Sequence, residues 1–234
     1  MADLTMADVV AACYQISPDG LQYLPAPTKK NTALLLVDIQ GLATPDYLTK
    51  KATAAGLAED QVTAALADYR KRFDAALKNS ARVLADARKH GIPPIHIKIQ
   101  TLDEDARDAG LGHKLLDWRV VPGSEGARFL DECAPKPKEM VVTKTASGAF
   151  SGTGLHQTLS NMGIEVLYVV GFMTDECVET TVRIGIDLGY FTNLVADATT
   201  TYYEKNHLHV VGKFAEWGVT VTAEQAEQIF GSLA

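Results

Sequence analysis

The chain has 234 residues, 47% of them hydrophobic, which is enough to bury one full core as a single domain. Its formal net charge of -7 argues against nucleic acid or an anionic membrane as the main partner. No apolar run reaches the ~18 residues of a membrane span, and the stretch from Met1 to Asp8 lacks the basic-then-apolar order of a secretory signal. A cytoplasmic location is therefore expected.

In chain order, residues 1–30 are expected to form an N-terminal arm and residues 31–234 one folded domain. The arm closes on Leu24-Pro25-Ala26-Pro27-Thr28-Lys29-Lys30, whose prolines disfavour helix and predict an extended lead-in. Ala33-Leu34-Leu35-Leu36-Val37-Asp38 is a continuous apolar run ending in a carboxylate, which suits a strand covered on both faces. Phe73, Ala76, Leu77, Leu84 and Ala87 have helical spacing, and Gly91 suits the position just past the helix end. Ile95 to Ile99 and Met140 to Lys144 predict two further strands, followed by a short helix from Thr153 to Met162 closed by Gly163. Val166 to Gly171 predicts a fourth, fully buried strand. Val178, Val182 and Ile186 form one helical stripe before Gly189, and Thr192 to Asp197 predicts a fifth strand. A last strand near Val219 to Val221 precedes a helix beginning at Thr222 or Ala223. This alternation predicts an α/β, doubly wound, mostly parallel sheet with helices on both faces, Rossmann-like in layout. Ligands of such sheets sit at the carboxyl ends of the strands. That rule selects Asp38, Lys144, Asp197 and the segment after Gly171.

The three cysteines, Cys13, Cys133 and Cys177, are odd in number and far apart. They form neither a disulfide framework nor a CxxC metal pattern, so a reducing compartment with free thiols fits. Cys177 lies in Gly171-Phe172-Met173-Thr174-Asp175-Glu176-Cys177-Val178, between the fourth strand and its helix. With Thr174 or Asp175 as a cap, Cys177 falls in the first helical turn, where backbone N–H groups and the helix dipole favour a thiolate. The same groups suit an oxyanion hole. Cys13 and Cys133 default to structural roles. A thiol with pKa near ~8.5 needs a base or a cation to act at neutral pH. Asp38 is placed to accept its proton, and Lys144 to hold Asp38 ionised and stabilise the thiolate. Asp197 is left as a helix cap.

These segments resemble a known family. Leu36-Val37-Asp38-Ile39-Gln40 is similar to the "VD-hydrophobe-Q" segment of isochorismatase-like cysteine hydrolases. Lys144 to Leu155 is similar to that family's lysine followed by "SAF-x-GT-x-L". Gly171 to Val178, continuing through Thr181 and Arg183 to Tyr190, resembles its nucleophile turn. The three blocks occur in family order. The resemblance implies a catalytic triad of Asp38, Lys144 and Cys177, oxyanion donors at Met173 and Cys177, and a non-proline cis peptide at Phe172–Met173. It also implies hydrolysis of a C–N bond in a small ureido, carbamoyl or amide compound through a thioester, with no cofactor and no metal. A homo-oligomer, dimer or tetramer, is expected. The alternatives are a nicotinamidase-like amidase and a catalytically silent binding protein. The Asp-x-His…His metal pattern of nicotinamidases is not found after Gln40, and true isochorismatases do not keep a cysteine at this turn.

The sequence departs from the family pattern where Gly41-Leu42-Ala43 follows Gln40, where Gly148 replaces the serine of "SAF", and over the segment from Pro45 to Arg72. Such loops shape the pocket. Gln40 and Phe150 in the family-like blocks, Trp118 before the Pro122-Gly123 turn, and Tyr202 after the fifth strand are the candidates for substrate contact. His96, mid-strand, is expected to be a hydrogen-bonded core histidine. The glycines at 148, 152 and 154 match no phosphate loop, and the remaining histidines show no paired metal spacing.

Overall fold

A computed structural model of the chain describes residues 5–13 and 18–234. In chain order its elements begin with α1 (Met6–Cys13), α2 (Pro18–Leu21), β1 (Thr32–Val37), α3 (Pro45–Ala54), α4 (Glu59–Ala65), α5 (Ala67–His90) and β2 (Pro94–Ile99). After these come α6 (Leu111–Leu115), β3 (Met140–Lys144), α7 (Leu155–Asn161), β4 (Val166–Phe172) and a π-helical turn over Thr174–Val178 that runs into α8 (Glu179–Asp187). The chain ends with β5 (Phe191–Thr200), α9 (Glu204–Glu216), β6 (Thr220–Val221) and α10 (Ala223–Ser232).

The six strands form one sheet in the order β3-β2-β1-β4-β5-β6, and every pairing is parallel. All six residues of β1 and all seven of β4 are buried, as the unbroken apolar runs predict for strands covered on both faces. One face packs against α5 and α10 through Phe73, Leu77, Leu84, Ala226 and Phe230. The other packs against α7, α8 and α9 through Leu155, Leu159, Val178, Val182, Val210 and Phe214. At Gly171, with φ +119, an added Cβ would lie 1.9 Å from the Val37 carbonyl oxygen. Only glycine allows β1 and β4 to pair this closely at their carboxyl ends.

The chain runs outward from β1 through β2 to β3, then returns to the other side of β1 at β4 and continues outward to β6. The switch point therefore lies between the ends of β1 and β4, where a doubly wound sheet opens a crevice. Asp38 follows one of those strands and Met173 the other.

Three expectations need correction. The arm is not extended throughout: α1 and α2 lie upstream of Pro25, beyond the reach of the proline restriction. At the start of α1, Thr5 and Asp8 bond each other's backbone N–H reciprocally. Residues 25–28 are non-helical, as their prolines require. The region from Pro45 to Arg72 holds α3, α4 and the first turns of α5, with Thr44 capping α3 by accepting from the Tyr47 N–H. The helix α9 was not expected, although Val210 and Phe214 stand four residues apart on its buried face. The capping box at Thr222 and Gln225 starts α10 where expected. Asp197 accepts from the Ala223 N–H at 2.6 Å, the capping role assigned to it.

Candidate active site

Asp38 sits directly after β1 at φ 50, a left-handed conformation that Asp and Asn tolerate better than most residues. The bend turns its carboxylate over the sheet end, where it is 3% exposed. Lys144 ends β3, two strands away, and its stem crosses the end of β2 to put Nζ 2.7 Å from Asp38 Oδ2. The contact is an ion pair rather than an aligned hydrogen bond, and Oδ1 has no hydrogen-bond partner. The same Nζ donates to the Ala146 carbonyl at 2.9 Å and to Cys177 Sγ at 3.5 Å. Carboxylate, ammonium and thiol from three separate strand ends thus share one buried point. A buried ammonium requires such partners.

Cys177 lies in the π-helical turn and is buried. The expected cap is not made, because Thr174 and Asp175 are bonded elsewhere. Thr174 Oγ1 bonds Thr199 Oγ1 at 2.9 Å and His207 Nδ1 at 3.0 Å, and Asp175 accepts from Asn206 at 2.8 Å. These bonds tie the turn to β5 and α9. The Glu176 and Val178 N–H groups both donate to the Met173 carbonyl. The Phe172–Met173 peptide is cis, as the family resemblance implied. The Met173 N–H has no acceptor among the described residues.

The electrostatics revise one expectation. Burial, and then the Asp38 charge, push the Cys177 thiol well above its ordinary range, with only Lys144 pulling it down. Both act against the thiolate preference of a helix start. Burial opposes the Lys144 charge, but Asp38 and Cys177 outweigh it and the ammonium is held. Cys133 is also buried, and its thiol is pushed up to about 12, chiefly by that burial. Glu132 adds to that rise and Arg88 opposes it.

Asp38 and Cys177 line a cavity of about 510 Å³ with walls formed mainly by Leu42, Ile99, Leu116, Trp118, Met173 and Tyr202. Trp118 and Tyr202 are therefore where a substrate-contacting residue must be. Trp118 lies under Lys51, with Nζ 4.7 Å from the ring centroid. Tyr202 packs on Tyr69 at 5.3 Å. Tyr203 points outward and is 65% exposed.

Two other candidates are not at the cavity. Gln40 is fully buried and holds the sheet ends together. Its amide donates to the Ile99 and Ala127 carbonyls at 3.1 and 3.0 Å, and its oxygen accepts from the Ile99 N–H at 2.8 Å. No hydrogen-bonding capacity of that kind is left facing a ligand. Phe150 stacks on Tyr190 at 5.9 Å in the core beneath α8. At Gly148, where the family has serine, an added Cβ would come within 2.9 Å of the Thr180 methyl group. His96 bonds Glu139 at 3.0 Å, as expected of a core histidine. The sequence reading missed Glu176 and His113, both of which line the cavity. Glu176 was legible as the charged neighbour of Cys177. His113 sits on α6, a five-residue helix with no buried face to announce it.

A protein-family model described as "Isochorismatase domain" matches residues 32–226. A ureidoacrylate amidohydrolase, RutB, from Rhizobium rhizogenes (strain K84) is 27% identical, with the match covering 92% of this chain and 94% of that protein. The crystal structure of an isochorismatase family protein from Desulfovibrio vulgaris superposes with a TM-score of 0.70 at 21% identity, covering 86% of this chain and 99% of that one. N-carbamoylsarcosine amidase from Thermoplasma acidophilum superposes with a TM-score of 0.62 at 19% identity, covering 83% and 97%.

Proposed function

The chain belongs to the isochorismatase family of hydrolases, and from that premise we propose that it is a cysteine-dependent amidohydrolase acting on small ureido, carbamoyl or amide compounds. The observation that carries this reading is the meeting of Asp38, Lys144 and Cys177, the first and last of which line one cavity. As substrate enters, Asp38 takes the Cys177 proton and the sulfur attacks the carbonyl carbon. Lys144 holds Asp38 in place and steadies the sulfur as it becomes negative. The Met173 and Cys177 backbone amides receive the oxyanion. Asp38 returns the proton to the departing nitrogen, which leaves as ammonia or an amine. Water, activated by Asp38, then cleaves the thioester and restores the thiol. The reading draws support from the relative named for ureidoacrylate hydrolysis.

The test is ammonia release over a panel of small amides and ureas. Ureido, biuret-like and carbamoyl compounds are expected to exceed nicotinamide and isochorismate in kcat/KM. A tenfold advantage for nicotinamide, about 1.4 kcal/mol of transition-state preference, would overturn the ureido assignment.

A further inference from the structure

The residue before the nucleophile is a carboxylate with no ion-pair partner among the described residues. Glu176 lines the cavity, and its side chain makes no hydrogen bond or ion pair among the described residues. Glu176 is open to solvent as well as to the cavity it lines, and its charge acts on Cys177 and Tyr202 in the same lining. Asp38, with an oxygen that has no hydrogen-bond partner, lines the same space. No Lys or Arg is found among the described residues that line it.

The cations around it are held by other groups. Lys144 is held by Asp38 and the Ala146 carbonyl. Arg72 donates to the Thr201 and Tyr202 carbonyls at 2.6 and 2.9 Å. Lys51 covers the Trp118 ring and donates to the Asp117 carbonyl at 3.3 Å. No Lys or Arg in the lining is placed to neutralise a substrate carboxylate, and burial pushes His113, the imidazole in that lining, toward its neutral form. A positive or N–H-rich group, by contrast, would meet Glu176. Burial, and then the neighbouring Asp175 and Asp38, push the Glu176 carboxyl up, with Lys144 opposing them. A cationic ligand relieves that repulsion and an anionic one adds to it.

We propose that Glu176 is a specificity-determining residue that selects amides bearing an ammonium, amidinium or similar donor-rich group and rejects those bearing a carboxylate, which sets this chain's substrate charge apart from that of the relative named for ureidoacrylate hydrolysis. This rests on the amidohydrolase reading for its substrate class, but the charge filter itself can be measured without turnover. The probes are two thiol reagents of similar size, aminoethyl and sulfonatoethyl methanethiosulfonate, which carry opposite charges. Their rates at Cys177 are measured in a Cys13→Ser background and normalised to a small free thiol. A change in thiol ionisation moves both rates together and cancels in the ratio.

The cation is expected to lead by roughly tenfold or more at low ionic strength, the scale of one solvent-screened charge pair at a cavity mouth. Glu176→Gln should shrink that lead at least threefold, and Glu176→Asp should retain it. In turnover, 4-aminobutyramide should exceed butyramide, and butyramide should exceed succinamate, with Glu176→Gln flattening the order. A ratio unchanged by Glu176→Gln, or a preference for the anionic reagent, would overturn the proposal. A protein that cleaves no amide yet keeps a Glu176-dependent ratio would overturn the amidohydrolase reading and support the filter.

Discussion

Cys177→Ser is expected to lose at least about a thousandfold in kcat, the scale seen when a nucleophile is removed from a site that acts as a unit. The protein should remain folded. The change swaps one small atom for another in a buried position, and Lys144 can donate to the hydroxyl as it does to the sulfur at 3.5 Å. The loss is chemical. A serine hydroxyl holds its proton far more tightly than a thiol, and a carboxylate is too weak a base to remove it. Ammonia release and an unfolding curve, measured on the same preparation, separate the two effects. Full activity in Cys177→Ser, with loss in Cys133→Ser instead, would sink the assignment.

Asp38→Asn is expected to lower turnover by about 10²–10⁴, the usual contribution of a positioned general base. Asparagine tolerates the left-handed backbone at this position, with φ 50, so the variant tests the charge rather than the bend. A second readout distinguishes a base from a merely structural carboxylate. The Asp38 charge raises the Cys177 thiol while Lys144 lowers it. Removing that charge should therefore shift the pH profile of Cys177 alkylation to lower pH even as amide turnover falls. A thiol that ionises more readily but turns over less is what loss of a base predicts. A profile that moves upward, or turnover that survives, would contradict the role.

Most of the architecture was legible because parallel strands buried on both faces leave an unmistakable trace. The runs at Ala33 to Val37 and Val166 to Gly171 have no polar interruption, and both fell where expected. Asp38 and Lys144 were legible for the same reason, since a charge ending an apolar run needs an explanation. Their meeting was expected from the strand-end rule and the family resemblance, and the strand order accounts for it: β3 lies two strands from β1, and the sheet topology brings Lys144 across to Asp38. Gln40 misled because a motif position was read as a ligand contact, whereas its three buried bonds join strand ends. What opposes the helix-start effect on the thiol also escaped the sequence. A helix start suggests a thiolate, but burial and a facing carboxylate reverse the sign. The cavity walls come from Leu42, Leu116 and Trp118, in segments with little periodic signal.

The central claim is that Cys177 carries the acyl group during turnover. The most direct measurement is rapid acid quench during hydrolysis of the best amide or ureido compound, followed by peptide mass spectrometry. The expected result is an adduct with the mass of the substrate less ammonia, located on the peptide that contains Cys177 and absent from Cys177→Ser. An acyl group on a different residue, or full-rate ammonia release from protein whose Cys177 has been alkylated, would contradict it.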